Sequence, residues 1–237
     1  MNSVTRTAAA PGVSGYDLVW PLVRKDWSFV KGPMLAYLAT GLLAVGLLAV
    51  ENRFALIVGV SLLISAIVII GVHFIFGTVI NERSKQTLPF IMSLPITYGH
   101  YSLAKLVSCL GGFTIAWGLI VLTLLAVIGA DNHLPPGLAP YAVMVLLELF
   151  AAFAVTLAVA MVFESEVWTI VTMTVLNVGI SIFMNVVGSL QGVAAHIEGP
   201  VPVWNGTVLG IITAELVVIL GAVAAALLLQ LRKSDFL

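Results

Sequence analysis

Charge is what this chain has least of. Only 9% of its 237 residues are Asp, Glu, Lys or Arg, while 61% are hydrophobic. A soluble domain carries about 25% charged residues. So few charges cannot cover a water-exposed surface of this size, and lipid is the expected solvent. The formal net charge is −1. Phosphate contacts need clustered Lys and Arg, so nucleic acid is not expected as a partner. Cysteine is nearly absent: Cys109 stands alone in an apolar run, which excludes an intramolecular disulfide and reads as a small buried side chain. A phosphate-binding loop is missing too, because none of the five lysines stands in a Gly-x-x-x-x-Gly-Lys-Ser/Thr context. No His-Glu-x-x-His, Cys-x-x-Cys or Gly-x-Ser-x-Gly string occurs, and the four histidines lack metal-ligand spacing. Neither a metal site, a cofactor site nor a catalytic residue is expected in this chain.

What fills the sequence instead is long apolar runs. A spanning helix needs about 20 mostly apolar residues. Six segments qualify: roughly 33–50, 54–80, 103–130, 139–163, 167–187 and 207–230. The runs are continuous and not alternating, so helices are expected and a lipid-facing barrel is not. The fold class expected is an all-α membrane protein with six transmembrane helices. Basic residues set the orientation. Arg6, Arg24, Lys25 and Lys31 precede the first run, Arg83, Lys85 and Lys105 flank the gap after the second, and Arg232 and Lys233 follow the sixth. Only Arg53 falls on the other side. Both termini are therefore expected in the cytoplasm, in a plasma (inner) membrane.

Residues 1–15 read as a flexible tail, and the first 30 lack the compact apolar core of a signal peptide. Residues 16–32 read as an interfacial amphipathic helix. Val19, Leu22, Val23, Trp27 and Val30 recur on one face, with Trp20 and Trp27 suited to the headgroup level. Asp26 falls on that apolar face. Residues 33–237 make the six-helix domain, with a cytoplasmic segment at 81–102 and an extracytoplasmic loop at 188–206. The loop holds Gly188, Gly192, Gly199, Pro200 and Pro202 and fits a loop or short re-entrant piece better than a full span. No internal repeat is visible.

The segment Asn81–Thr97 is too polar for lipid and too apolar for a plain surface loop. Pro89 and Pro95 break helix continuity, and Thr97 is placed to cap a new helix. Between them Leu88, Phe90, Ile91, Met92 and Leu94 supply apolar knobs, either anchors for a partner or packing under the chain's own helices. The string Glu82-Arg83, Thr87-Leu88, Ser93-Leu94-Pro95-Ile96-Thr97, Tyr101, Leu103 and Lys105 resembles the ABC-2 type permeases of ATP-binding cassette exporters. The Arg24-Lys25-Asp26 start and the Arg232–Phe236 close are similar to that family as well. Gln86 stands where the family has Gly, and His100 where it has Glu. The resemblance implies that Glu82, Arg83, Thr87, Leu88, Phe90, Leu94, Pro95 and Thr97 form the coupling interface to a separate P-loop ABC ATPase subunit, present in two copies. That subunit would bind the ATP and Mg, and a second, identical permease would complete a dimer within the lipid.

Charges at bilayer depth are functional suspects. Counting about 1.5 Å per residue, Glu148 in the fourth run and Glu215 in the sixth fall at a similar depth. With Asn177 they are candidates for a substrate path, or else each is neutral or hydrogen-bonded between helices. His73 reads as a packing group. Asn177 and Asn185 read as interhelical hydrogen-bond partners, Glu164 and Glu166 as acidic caps of the fifth helix or else as contacts to the ATPase, and Gly206 and Gly210 as a helix-packing or dimer face. The function expected is export of an amphipathic or hydrophobic substrate such as a peptide, lipid or drug. One alternative is a proton-coupled secondary transporter using Glu148 and Glu215; another is a non-transporting membrane scaffold.

Overall fold

The structure, a computed structural model, describes residues 19–84, 98–130 and 133–232. It is helical throughout, with no strand among the described residues. Six helices are long and apolar enough to cross a membrane, which makes this a multi-pass membrane protein by length and composition. Helix α1 is Val19–Leu48, and α2 is Arg53–Phe74. A π-helical stretch Ile75–Ile80 and a last turn Asn81–Ser84 extend α2. Then come α3 Tyr98–Ala130, α4 Leu138–Phe163, α5 Glu166–Ser189, the short α6 Gln191–Ile197 and α7 Gly206–Leu231.

Local chemistry explains the helix starts. The Asn52 side chain accepts from the Phe54 and Ala55 amides and opens α2. Asn205 does the same for α7 through the Val208 amide at 3.0 Å, and its own amide donates to the Gly192 carbonyl. Each satisfies donors that a helix end otherwise leaves bare. Between α4 and α5 the turn is two residues long. Glu164 takes the left-handed conformation at φ 56°, and Ser165 caps α5. Glu164 and Glu166 were the expected caps. The Ser165 hydroxyl is the group that accepts from the Trp168 amide, while Glu166 stands in the first turn, where its charge suits the helix start as expected.

The expected split between an interfacial helix at 16–32 and a first span at 33–50 is not seen. Val19–Leu48 is one helix with Pro33 inside it. Proline removes one backbone donor but does not end a helix whose neighbours hold it in place. At 30 residues, α1 is about 45 Å long, well over the roughly 30 Å hydrocarbon thickness. The loop 188–206 carries the short helix α6, whose Val193 packs with Met144, Val187 and Val208.

Two groups of helices meet at an aromatic seam. α1, α2 and α3 pack together, and α4 carries α5 and α7. Phe113 of α3 stacks on Phe153 of α4 at 3.9 Å, with Phe150 edge-on at 5.3 Å. Trp117 Nε1 donates to the Leu146 carbonyl at 2.8 Å across the same seam. α2 and α3 approach closely at Gly112, where a Cβ would lie 2.2 Å from Phe74 Cζ. A glycine here is a steric requirement. Much of α5 and α7 faces outward with Val175, Ile182, Val217 and Leu220 exposed, an apolar surface suited to lipid or to protein within it.

Chain direction alternates between two ends. At the far end His133 Nδ1 lies 3.4 Å from Glu51 Oε2, and the Gly137 amide donates to Gly199 O at 2.9 Å. These contacts gather the α1–α2, α3–α4 and α5–α7 connections. The start of α1, the end of α2, the start of α3 and the end of α7 gather at the opposite, near end.

Candidate functional site

The near end is built around buried charge. Lys105 of α3 is only 3% exposed, and its ammonium donates to both oxygens of Asp26 in α1, at 2.9 and 2.8 Å. The same ammonium lies 2.8 Å from Glu82 Oε2, just past the π-helical stretch of α2. Glu82 also accepts from Tyr101 at 3.0 Å and from Lys25. Lys25 lies 3.6 Å from Asp26, and Lys105 sits 5.5 Å from the Tyr101 ring centre. Two acids and two bases thus close a neutral cluster across three helices. Burial alone would push the Glu82 carboxyl up, but Lys105 and then Lys25 outweigh it and hold the group below the ordinary glutamate range. Trp27 and Ser108 secure the same contact, the indole donating to the backbone at 3.2 Å.

The cluster accounts for Asp26 on an apolar face: its partner comes from 79 residues away. Counting about 1.5 Å per residue, Asp26 and Lys105 stand 33 and 37 Å, roughly, from the far ends of their helices, beyond the hydrocarbon thickness of about 30 Å. The cluster therefore belongs at headgroup depth. Gln230 at the end of α7 joins this end. It is 2% exposed, donates to the Met161 carbonyl and accepts from Ser102 at 3.4 Å. Sequence reasoning missed the roles of Asp26, Lys105 and Gln230. The one available signal was a lone polar residue on each apolar face.

Of the expected coupling residues, Glu82 lies in this cluster and Arg83 in the last turn of the α2 extension. Thr87, Leu88, Phe90, Leu94, Pro95 and Thr97 lie outside the described residues, and α3 begins at Tyr98.

The second candidate lies between the ends. Glu148 of α4 is half-buried and Glu215 of α7 is 5% exposed. Met144 and Val208 share one packed cluster, while Gln230 hydrogen-bonds to Met161. Between those fixed points the two carboxylates come to one level within about 5 Å, as their sequence positions suggest. Among the described residues Asn177 makes no hydrogen bond to another helix. Its amide donates to Met173 O within α5 at 2.8 Å, and Asn185 donates likewise to Ser181 O at 2.7 Å. Asn177 does line a pocket between α2, α4 and α5, with Gly71, Phe153 and Thr156. An apolar cavity of about 220 Å³, lined by Leu56, Val60, Ile128, Leu138 and Met184, lies toward the far end. His73 meets the Tyr37 ring edge-on at 5.7 Å. Cys109 is buried 3.0 Å from the Thr78 hydroxyl. Gly206 and Gly210 have nothing within 4 Å of a would-be Cβ, so neither makes a close helix contact among the described residues. No group of three or more metal-ligating side chains occurs among the described residues. No family model, curated protein or solved structure matches the chain.

Proposed function

We propose that this chain is the membrane-spanning permease subunit of an ABC-2 type exporter, working in the plasma membrane with its near end in the cytoplasm. The observation that carries the reading is the Asp26–Lys105–Glu82–Lys25 cluster. Glu82 itself belongs to the segment that resembles the family's coupling element. A push on that segment would reach α1 through Asp26 and Lys25 and α3 through Lys105, since buried ion pairs resist separation. The energy would come from two copies of a separate P-loop ATPase, and a second copy of the chain would complete the path. An amphipathic or hydrophobic cargo suits the apolar far-end cavity and the scarcity of charge along the spans.

Gentle purification of the tagged chain from its native cell tests this, with mass spectrometry of what accompanies it. The expected result is a stoichiometric P-loop ATPase that is lost in Leu94→Asp. A folded chain that purifies alone would refute the reading. A second reading, a proton-coupled carrier, is favoured by the common level of Glu148 and Glu215. It predicts flux that follows a pH gradient without ATP.

A further inference from the structure

We propose that Glu148 and Glu215 form a proton-binding site inside the bundle, in which Glu215 carries a proton at neutral pH. The site lies on the contact between α4 and α7. On α4, Leu147, Ala151 and Ala154 share a packed cluster with Ile219 of α7, and Ile212 and Ala222 pack against it. Glu148 is three residues before Ala151, and Glu215 lies three after Ile212 and four before Ile219. Helical spacing therefore puts both carboxyl groups on the facing stripes.

Both oxygens of Glu215 are closed off from solvent, and neither has a hydrogen-bond partner among the described residues. An ionised carboxylate in apolar surroundings without a partner is among the most costly arrangements a protein can hold. A second carboxylate at the same level raises that cost. Among the described residues other charged groups do not offset it. α7 packs on α4, α3 and α6. On α4 the other titratable side chains are Tyr141, two turns toward the far end, and Glu164, past the opposite end of the helix. Among the described side chains of α3 the titratable ones are His100, Tyr101, Lys105 and Cys109, all toward the near end, and Trp117 is the residue in the cluster beside Ile212. On α6 it is His196, at the far end.

The enclosure also selects the ligand. A metal ion or an ammonium cargo needs several ångströms and several donor atoms, and neither Glu215 oxygen has space beside it. A proton needs no room and removes the charge. Glu148, half-buried, is the member of the pair that meets the surroundings. Opening the α4–α7 contact to water would let Glu215 ionise, and closing it would favour reloading. The site thus stores a proton according to the state of that contact.

Infrared spectroscopy of the purified chain in lipid nanodiscs tests the proposal, reading the C=O stretch of a protonated carboxyl across a pH series. Expected is a band at neutral pH that is lost in Glu215→Gln. In Glu148→Gln the band should disappear at lower pH than in the parent, because the neighbouring negative charge is gone. No difference between parent and Glu215→Gln at neutral pH would overturn the proposal, as would a band indifferent to Glu148→Gln. Should Glu215→Gln not fold, the Glu148→Gln arm decides alone. The measurement needs no ATPase, so its failure and that of the exporter reading are seen separately.

Discussion

Replacing Lys105 with Met keeps a side chain of similar length and deletes the charge at the centre of the near-end cluster. Lys105 holds Asp26 at 2.8 Å and Glu82 at 2.8 Å, and the side chains of the three are 3%, 2% and 11% exposed. Breaking a buried ion pair from one side costs about 3–5 kcal/mol, because the remaining charge is left uncompensated. Lys25 survives in the variant, in contact with Glu82 and 3.6 Å from Asp26, but its side chain is 36% exposed. The expected loss is therefore at the low end, about 3 kcal/mol, or roughly a hundredfold in the folding equilibrium at about 1.4 kcal/mol per decade. Equilibrium unfolding in mixed micelles, followed by tryptophan emission, measures this, with Trp27 lying beside the cluster on Ser108. The companion variant is Lys105→Met with Asp26→Leu. It leaves Glu82 paired with Lys25 and fills the remaining space with apolar groups, so recovery to within about 1 kcal/mol of the parent is expected. A double variant as unstable as the single one would refute the reasoning, since Asp26 would then not be the stranded charge.

Gly112→Ala should cost about 1–3 kcal/mol, as an overpacked core does, since the new methyl would meet the buried Phe74 ring. Phe74→Leu in the same chain should return part of it, and a neutral Gly112→Ala by the same unfolding assay would count against the close α2–α3 approach. Acid should also weaken the protein through Glu82. Its carboxyl is held below the ordinary glutamate range in the folded chain, by Lys105 and Lys25 against the opposing effect of burial. Its contribution is thus complete above the pH at which a free glutamate ionises and is lost as pH falls through the lower folded value. A Glu82→Gln chain should lose that acid limb in a melting series against pH; an unchanged limb would assign it to another group.

The six spans were legible because apolar length is a local property: α2 together with its π-helical stretch, α4, α5 and α7 begin and end within two residues of the runs read from sequence. The start of the bundle was not. Arg24, Lys25, Asp26 and Lys31 beside Pro33 look like a polar lead-in, and nothing within that stretch tells that Asp26 is satisfied by Lys105. Long-range pairing leaves only a lone polar residue at each partner, and neither residue names the other. The common level of Glu148 and Glu215 could be counted along two helices, but not the difference in burial between them, which depends on how α7 is rotated against α4. Asn177 and Asn185 went astray for a related reason. An amide in an apolar helix is satisfied as readily by the carbonyl one turn back as by a neighbouring helix, and composition does not distinguish the two.

The near-end cluster also has an electrical character. Asp26 and Glu82 carry two negative charges, Lys25 and Lys105 two positive ones. An unpaired lysine carried across the full membrane field exchanges about 2.3 kcal/mol with every 100 mV. Four charges that sum to zero and move as one body exchange almost none. Whatever displacement passes from the α2–α3 junction into α1 and α3 through this knot would run with the same force in an energised cell and in a depolarised one.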